Sequence, residues 1–357
     1  MLTFSENKIS RTLWHEGKEY LFFSGTSYLG LSSNEEFHKI LKEGIDKYGS
    51  NHPMSRISNV RFDIYEHFEK QFAIDFLAED CISLSSGFLV GKLLIEYFTS
   101  LKYNLYISPE AHPALWLSLS LSTNNISHNT WIEQIISKLN LSEGKNNVIF
   151  CNSLNSLSGE VYNFDWIDKI NDKIKITLVI DDSHGIGVIG KKGKGVIENV
   201  EKYASKKNIN FLITASLGKA LGITGGVILG KVAIISELRK STYYTSSSPI
   251  IPAYLYAYLN AYNLRNKLFK KLRFNINYFN INIENDNFQV NKFFPVVAIE
   301  SDFIGKLAYQ ENIILSSFPY PFQNSPLITR IVINSAHNIT DLDLLSNFLK
   351  IHFSINK

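Results

Sequence analysis

Three side chains that can do covalent and acid–base chemistry stand where apolar, strand-like runs end. Lys219 follows the run FLITA (211–215), and Asp181 and His184 stand at the end of ITLVID (176–181) and just beyond it. Ligands of parallel sheets bind at the carboxyl ends of the strands, so we expect these side chains to face one site. A lysine whose pKa is lowered becomes a nucleophile that forms a Schiff base with carbonyl groups. A carboxylate beside it could hold a metal, orient a histidine or pair with a protonated ring nitrogen.

Each feature also has a purely structural interpretation. Lys219 could be an ordinary turn lysine, and Asp181 with His184 could form a strand-end turn that caps a helix. The element SSGF (85–88) adds a third strand end, where a helix N-terminus can offer backbone N–H groups to a phosphate. An aldehyde, a ring nitrogen and one phosphate together describe pyridoxal 5′-phosphate (PLP). We therefore predict PLP as the cofactor and no metal site.

The elements that position these residues alternate along the chain. Helical patterns cover 34–49, with Ser33 or Asn34 as the cap, and 61–76. Strand-like runs follow at 81–85, 147–151, 176–181, 211–215 and 225–230. Strands separated by helix-length segments predict right-handed crossovers and a mainly parallel sheet covered on both faces.

The pattern changes after about residue 250. Residues 254–272 are typical of one long helix, and we interpret the asparagine-rich 274–291 as loop plus strand. The runs FFPVVAIE and TRIVINS and a last helix at 339–353, capped by Thr340, predict a smaller α+β domain. The predicted limits are 1–48 for an N-terminal segment, 49–248 for the large α/β domain and 249–357 for the C-terminal domain.

The composition excludes several classes of protein. The 357 residues are 45% apolar and 19% charged with a net charge of +3, which gives no reason to expect nucleic acid as a partner. Cys81 and Cys151, the two cysteines, lie in apolar runs, so we expect core packing in a reducing compartment. No run of about 18 apolar residues is present to span a membrane, and the start lacks a signal-peptide pattern. We therefore expect a cytoplasmic protein.

Six motifs together resemble the α-oxoamine synthase family of fold-type I PLP enzymes, which includes 8-amino-7-oxononanoate synthase and 2-amino-3-ketobutyrate CoA ligase. They are TSYLGLS (26–32), SSGF (85–88), DDSHGIGVIGKKGKG (181–195), SLGKALG (216–222), YTSSSP (244–249) and ITRIVINSAHN (328–338). The DDSHG and LGK blocks are highly specific in combination, and the other motifs support them. The resemblance implies a large domain with a mainly parallel seven-stranded sheet plus a smaller α+β domain.

The resemblance also assigns roles to residues around the cofactor. Lys219 would bind the PLP aldehyde covalently and later carry the Cα proton of the substrate. Asp181 would keep the pyridine nitrogen protonated, His184 would reach the 3-oxygen, and His112 would stack on the ring. The phosphate and its surroundings would be held by Ser86, Gly87, Phe88, Ser156 and Ser216, and by Ser246 and Ser247 of a neighbouring subunit in a homodimer.

The same resemblance implies which residues bind the substrates. On this side of the site the sequence departs from the family pattern at three places. Arg330 would clamp the amino-acid carboxylate, a task suited to its planar fork. Thr26 replaces the family asparagine near that carboxylate, and Asn152 replaces an acidic residue. The family's glycine-rich loop is GSNHPMSR (49–56) here, which we expect to reshape the amino-acid or acyl side of the site.

The expected activity is a decarboxylative condensation of a small amino acid with an acyl-CoA, giving an α-oxoamine. Two alternatives remain open at this point. One is an aminotransferase or decarboxylase on the same fold, and the other is a non-catalytic PLP-binding relative. Retention of Lys219, Asp181 and His184 together favours an enzyme, since an inactive relative would be free to lose Lys219.

Overall fold

The computed structural model describes residues 8–117, 126–283, 291–301, 303–320 and 322–353. Its strands, in chain order, are β1 Thr12–His15, β2 Lys18–Phe23, β3 Asp80–Leu84, β4 Asn104–Ile107, β5 Asn146–Asn152, β6 Lys175–Asp181, β7 Ile209–Ser216, β8 Gly226–Gly230, β9 Val296–Ile299, β10 Ile313–Pro319 and β11 Leu327–Val332.

The α-helices of the described chain follow in the same order. They are α1 Glu35–Tyr48, α2 Ile64–Asp75, α3 Gly87–Ser100, α4 His128–Asn140, α5 Ile197–Glu201, α6 Val232–Leu238, α7 Thr242–Thr245, α8 Pro252–Asn260, α9 Tyr262–Asn282, α10 Ile304–Gln310 and α11 Ile339–Phe353. Within the described chain no helix is both long enough and apolar enough to cross a membrane.

The larger sheet has the strand order β3-β8-β7-β6-β5-β4. Strands β4 to β7 run parallel, and β8 runs antiparallel to both of its neighbours. The prediction of a mainly parallel sheet is confirmed. The predicted count of seven strands is one more than the described residues supply.

Both faces of this sheet are buried, because alternate side chains of each strand point to opposite faces. Ile149 belongs to a core shared with α2, α4, α8 and α9, whereas the next residue, Phe150, belongs to a second core shared with α3 and α6. The predicted helical cover on two faces is therefore confirmed. Cys81 and Cys151 are free thiols within the core, as expected.

Two predicted elements of the C-terminal half are wrong. The helix expected at 254–272 is two helices, α8 and α9, which meet at Ala261 outside helical geometry. Helix α9 then runs on to Asn282 through much of the segment that we interpreted as loop plus strand, while residues 284–290 lie outside the described part. The reason is the spacing of Leu272, Ile276 and Phe279, which are buried on one face of a helix without glycine or proline.

Capping residues explain where two helices begin. Asn34 accepts the backbone N–H of Phe37 at 3.0 Å and caps α1, as predicted. Helix α11 is capped by Asn338 rather than by Thr340. Asn338 and Asp341 form a reciprocal pair, in which each side chain accepts the other residue's backbone N–H at 2.9 Å.

The smaller sheet has the order β1-β2-β10-β11-β9, so its first two strands come from the N-terminal segment. A turn at 24–30 leads from β2 toward α1. The backbone N–H of Ser335 donates to Tyr28 O at 3.0 Å, which fastens this turn to the chain after β11. The predicted domain limits stay a prediction.

Candidate active site

A cavity of about 210 Å³ opens at the carboxyl ends of β5 and β6 and beside the loop that follows β7. Five predicted site residues contribute to its wall: His112, Ser156, Asp181, His184 and Lys219. These residues are far apart in the sequence. The structure brings them to one edge of the parallel sheet, where the topology predicts a site.

Lys219 lies in a tight loop after β7. Backbone hydrogen bonds from Leu217 to Gly225 (2.9 Å) and from Ile223 back to Leu217 (3.2 Å) close that loop. Burial lowers the pKa of Lys219 to about 8, the carboxylate of Asp181 opposes this shift, and the guanidinium of Arg330 adds to it. A larger fraction of this amine is therefore neutral and nucleophilic near neutral pH than for a solvated lysine.

Asp181 is the last residue of β6, and Asp182 is the next one. Their side chains point to opposite faces of the sheet, because successive residues of an extended strand alternate between the faces. Asp181 pairs in parallel register with Asn152 and accepts the N–H of Ser183 at 2.9 Å. Asp182 is fully buried and accepts the N–H of Val196 at 2.8 Å. Burial raises the pKa of Asp182 to about 7. Asp181 thus lines the cavity, and Asp182 anchors the glycine-rich loop that follows.

His184 is held by Tyr28, a residue that sequence reasoning missed although it lies in the quoted TSYLGLS motif. The tyrosine hydroxyl is 2.7 Å from Nδ1 of His184. Burial lowers the pKa of His184 well below its usual range, and Lys219 and Arg330 add to this effect. Burial likewise raises the pKa of Tyr28, so the phenol keeps its hydrogen and can donate it to a neutral imidazole.

His112 begins a short 3₁₀ turn at Pro113–Leu115. Its Nδ1 accepts the backbone N–H of Ala114 at 3.1 Å, which leaves Nε2 free to face the cavity. Loss of water around the ring lowers the pKa of His112, Asp181 opposes the shift, and Lys219 adds to it. The ring is therefore a neutral, flat surface with a fixed orientation.

The N-terminus of α3 is pressed against the end of β7. Ser86 caps the helix by accepting the N–H of Leu89 at 3.1 Å. A Cβ at Gly87 would lie 2.7 Å from Cβ of Ser216, so only glycine allows this approach. The N–H groups of Gly87 and Phe88 have no acceptor within the helix and are available to an anion. Ser216 in turn donates its N–H to Ser183 Oγ at 2.8 Å, which links this terminus to the Asp181 strand end.

Arg330 on β11 is the arginine that reaches the site from the smaller sheet. It is only 5% exposed, and its Nη1 donates to the carbonyl of Ser156, a cavity residue, at 2.6 Å. Its Nε is buried and has no hydrogen-bond partner among the described residues. A buried guanidinium with an open N–H is a site for a carboxylate.

Glu110 and its neighbours form a part of the wall that the sequence did not predict. The carboxyl of Glu110 accepts the hydroxyl of Tyr162, and the ring of Tyr162 stacks on His128 with a centroid separation of 3.8 Å. Asn152 donates to the backbone oxygen of Glu110 at 2.8 Å. Burial raises the pKa of Glu110. The one available signal was the position of Glu110 two residues before His112.

Other predicted residues do not line this cavity within a single chain. Thr26 lies in the turn after β2, where its carbonyl accepts the N–H of Tyr28 at 2.9 Å. Ser246 and Ser247 follow α7, and Ser247 donates to the carbonyl of Tyr243. In the loop 49–56, His52 packs 4.9 Å from the ring of Phe62 and no residue reaches the cavity wall. The expected effect of that loop on the substrate side stays a prediction.

Comparison with protein families gives a match over most of the chain. The model of the family described as aminotransferase class I and II matches residues 119–347. That range covers well over half of the 357 residues and includes four of the five predicted site residues in the cavity wall, all but His112.

Individual relatives are distant but cover three quarters or more of this chain. The 8-amino-7-oxononanoate synthase of Petrotoga mobilis is 26% identical over 95% of this chain and 90% of its own length. A homologue of that name from Methanococcus vannielii is 30% identical over 76% of this chain and 74% of its own. Serine palmitoyltransferase from S. paucimobilis, solved with a PLP–myriocin aldimine bound, is 15% identical and matches the fold with a TM-score of 0.79 over 95% of this chain and 89% of that one.

Proposed function

The chain belongs to the aminotransferase class I and II family, and from this premise we propose which reaction it performs. It is a PLP-dependent acyltransferase of the α-oxoamine synthase type, which joins a small amino acid to an acyl thioester. The observation that carries this proposal is the presence of Lys219, Asp181 and His184 in one cavity at the carboxyl edge of the sheet.

The residues present fit PLP. Lys219 offers a partly neutral amine for the aldehyde, and Asp181 offers a carboxylate for the pyridine nitrogen. The N-terminus of α3, held close to Ser216 by Gly87, is a cradle for the phosphate. A Cβ at Gly226 would also collide with Ser86 O, 2.5 Å away, so the cradle depends on two glycines.

When bound, PLP supplies an electron sink for the carbanion formed at the amino-acid Cα. Lys219 would hold the cofactor, and its freed amine would then take the Cα proton, for which a pKa of about 8 is well matched. Asp181 would keep the ring nitrogen protonated. His184, oriented by Tyr28, would donate to the 3-oxygen, and His112 would cover the ring face.

Arg330 would orient the amino acid. Its Nε, buried and without a partner among the described residues, and its Nη1 contact with Ser156 at the cavity wall support a carboxylate beside the guanidinium. The amino acid would then lie between Arg330 and Lys219, and the acyl thioester would approach from the side of Asn155 and Leu157. Thr26 would stand near the same carboxylate, as the resemblance to the family motif implies.

We further propose a homodimer with a shared site, in which Ser246 and Ser247 reach the phosphate of the neighbouring subunit. The support for this is the resemblance of YTSSSP (244–249) to the family motif, whose serines reach the neighbouring site; within one chain neither serine lines the cavity. The free, buried Cys81 and Cys151 support the cytoplasmic location expected from the sequence.

Thiol release tests the reaction. Purified protein with PLP is incubated with glycine, alanine or serine and a set of acyl-CoA esters, and free CoA is measured with a thiol reagent. We expect CoA release that requires both substrates and is lost in Lys219→Ala but kept in Lys191→Ala, a substitution at a solvent-exposed lysine outside the cavity. Formation of 2-oxo acids without CoA release would instead support an aminotransferase and contradict the proposal.

A further inference from the structure

We propose that the acyl group accepted by this enzyme is an uncharged, apolar chain that lies in a groove beside the Lys219 cavity. Donors whose acyl chain ends in a carboxylate would be disfavoured. The inference rests on the proposed function and narrows it. The names of the relatives do not decide whether the acyl chain carries a terminal charge, because 8-amino-7-oxononanoate has a terminal carboxylate and a palmitoyl group has none.

The groove lies beside the cavity and shares part of its lining. It has a volume of about 710 Å³ and lies between residues 155–158, the end of β9, the start of β11 and the start of α10. Asn155 and Leu157 line both the groove and the cavity. In the proposal, a chain whose thioester carbon lies near Lys219 would pass these two residues to reach the groove.

The groove is lined mainly by apolar side chains. They include Leu157, Ala298, Ile299, Phe303, Leu327 and Ile328. Phe303 and Leu327 are 61% and 44% exposed, although both are large apolar residues. A bound acyl chain would remove this surface from water, which is the favourable term for an apolar ligand.

The charges around the cavity and groove do not favour a carboxylate at the end of the acyl chain, in addition to that of the amino acid. Among the described lining residues the only lysine or arginine is Lys219, which the cofactor occupies. Arg330, behind the wall, is engaged by Ser156 and reserved for the amino acid. The segments outside the described part contribute only one further lysine or arginine, Lys357. A buried carboxylate without a cation or several N–H donors is costly.

Carboxyl groups are present instead. Glu110 stands in the cavity wall, fixed by the Tyr162 hydroxyl, and Glu300 stands in the groove. His352 also lines the groove, but its Nε2 is 2.7 Å from Glu311 and so is already paired. A donor with a terminal carboxylate would meet like charge at either position.

Binding to length-matched donors tests the inference without requiring turnover. Calorimetry on the PLP-loaded enzyme compares octanoyl-CoA with suberoyl-CoA, and heptanoyl-CoA with pimeloyl-CoA. We expect the uncharged member of each pair to bind at least about tenfold more tightly, and Glu300→Gln, which removes the carboxylate of the groove, to narrow that difference. The control Glu160→Gln removes a nearby exposed carboxylate that does not line the cavity and should leave the ratio unchanged. Equal or tighter binding of the carboxylated donors would overturn the inference.

A variant that introduces a positive charge tests whether the acyl chain lies in the groove. Leu327→Arg places a guanidinium among the apolar lining and should shift the preference at least severalfold toward suberoyl-CoA. The control Leu141→Arg changes a residue that is 89% exposed and outside the groove, so the preference should not move. An identical response of the two variants would contradict the groove as the binding place. Absence of CoA release with every donor would count against the proposed function, whereas the binding ratios decide this inference separately.

Discussion

The amine of Lys219 lies near a carboxylate, Asp181, and a guanidinium, Arg330, and burial is the largest influence on its pKa. The two charges act in opposite directions, so the amine is held between the fully charged and fully neutral states near pH 8. His184 and His112 are both kept neutral by desolvation. The reactive set is thus tuned by burial first and by specific charges second.

The capture of PLP by Lys219 should depend on pH with a midpoint near 8. The neutral amine is the nucleophile, so the rate of uptake by cofactor-free protein should rise as pH increases through that value. Arg330→Gln removes a charge that lowers the pKa and should move the midpoint up, and Asp181→Asn should move it down. Stopped-flow absorbance measures the rates. A midpoint near 10.5, unmoved by either variant, would contradict this account of the site.

Tyr28 should matter for catalysis as well as for stability. Tyr28→Phe removes the partner of His184 Nδ1 and should lower kcat about tenfold, with a loss of about 1–2 kcal/mol in the free energy of unfolding. The matched control is Tyr65→Phe, which removes a buried hydroxyl bonded to Ile250 O instead. Urea unfolding and steady-state kinetics compare them. Equal kcat values for the two variants would show that Tyr28 has only a structural part.

At the scale of elements, the loop 182–195 converts a strand end into a rigid support for His184. The buried carboxylate of Asp182 is packed so closely that a Cβ at Gly185 or Gly195 would overlap it. Gly195 also has a φ of 72°, in the left-handed region. The glycines of this motif therefore serve packing around Asp182 in addition to backbone geometry.

Gly195→Ala should be much more destabilising than an ordinary alanine at positive φ. The variant adds an overlap with Asp182 to the backbone strain, and we expect a loss of about 3 kcal/mol or more. Gly144→Ala is the matched control, since Gly144 has a φ of 80° but nothing within 4 Å of a Cβ, and about 1–2 kcal/mol is expected there. Urea unfolding gives both values, and similar losses would contradict the role assigned to Asp182.

A feature of this protein could be predicted from the sequence when the pattern that indicates it lies close by in the chain. Lys219, Asp181 and His184 follow strand-like runs, so their meeting at one sheet edge followed from the pattern. Tyr28 contacts His184 across 156 positions, and such a pairing has no local signal. Ala261 separates α8 from α9 without glycine or proline, so the break depends on how α8 packs rather than on propensity.

At the scale of the whole molecule, the site lies at the joint between the two sheets. Arg330 of the smaller sheet bonds to Ser156 at the cavity, and Ser335 holds the turn that carries Tyr28 with hydrogen bonds to Tyr28 O and Leu29 O. Arg330, the proposed amino-acid clamp, and Tyr28 therefore depend on the N-terminal and C-terminal parts of the chain, while Lys219 depends on the larger sheet.

The proposed homodimer leads to two expectations, one for the mass in solution and one for the affinity of the protein for PLP. Sedimentation equilibrium should give the mass of two chains. Ser246→Ala combined with Ser247→Ala should weaken PLP binding about tenfold through loss of phosphate contacts supplied by the neighbouring subunit. Ser100→Ala, at the end of α3 and bonded only to Tyr97 O, is the control. A single-chain mass together with unchanged PLP affinity would contradict the shared site.

Mapping the point of PLP attachment tests the central claim most directly. The protein is loaded with PLP, the bond is fixed by borohydride reduction, and the peptides are sequenced by mass spectrometry. The account predicts the added cofactor mass on Lys219, with none on the exposed Lys191 and Lys192 at equal molar cofactor. Attachment at another lysine, or no attachment at all under conditions where the protein is folded, would contradict it.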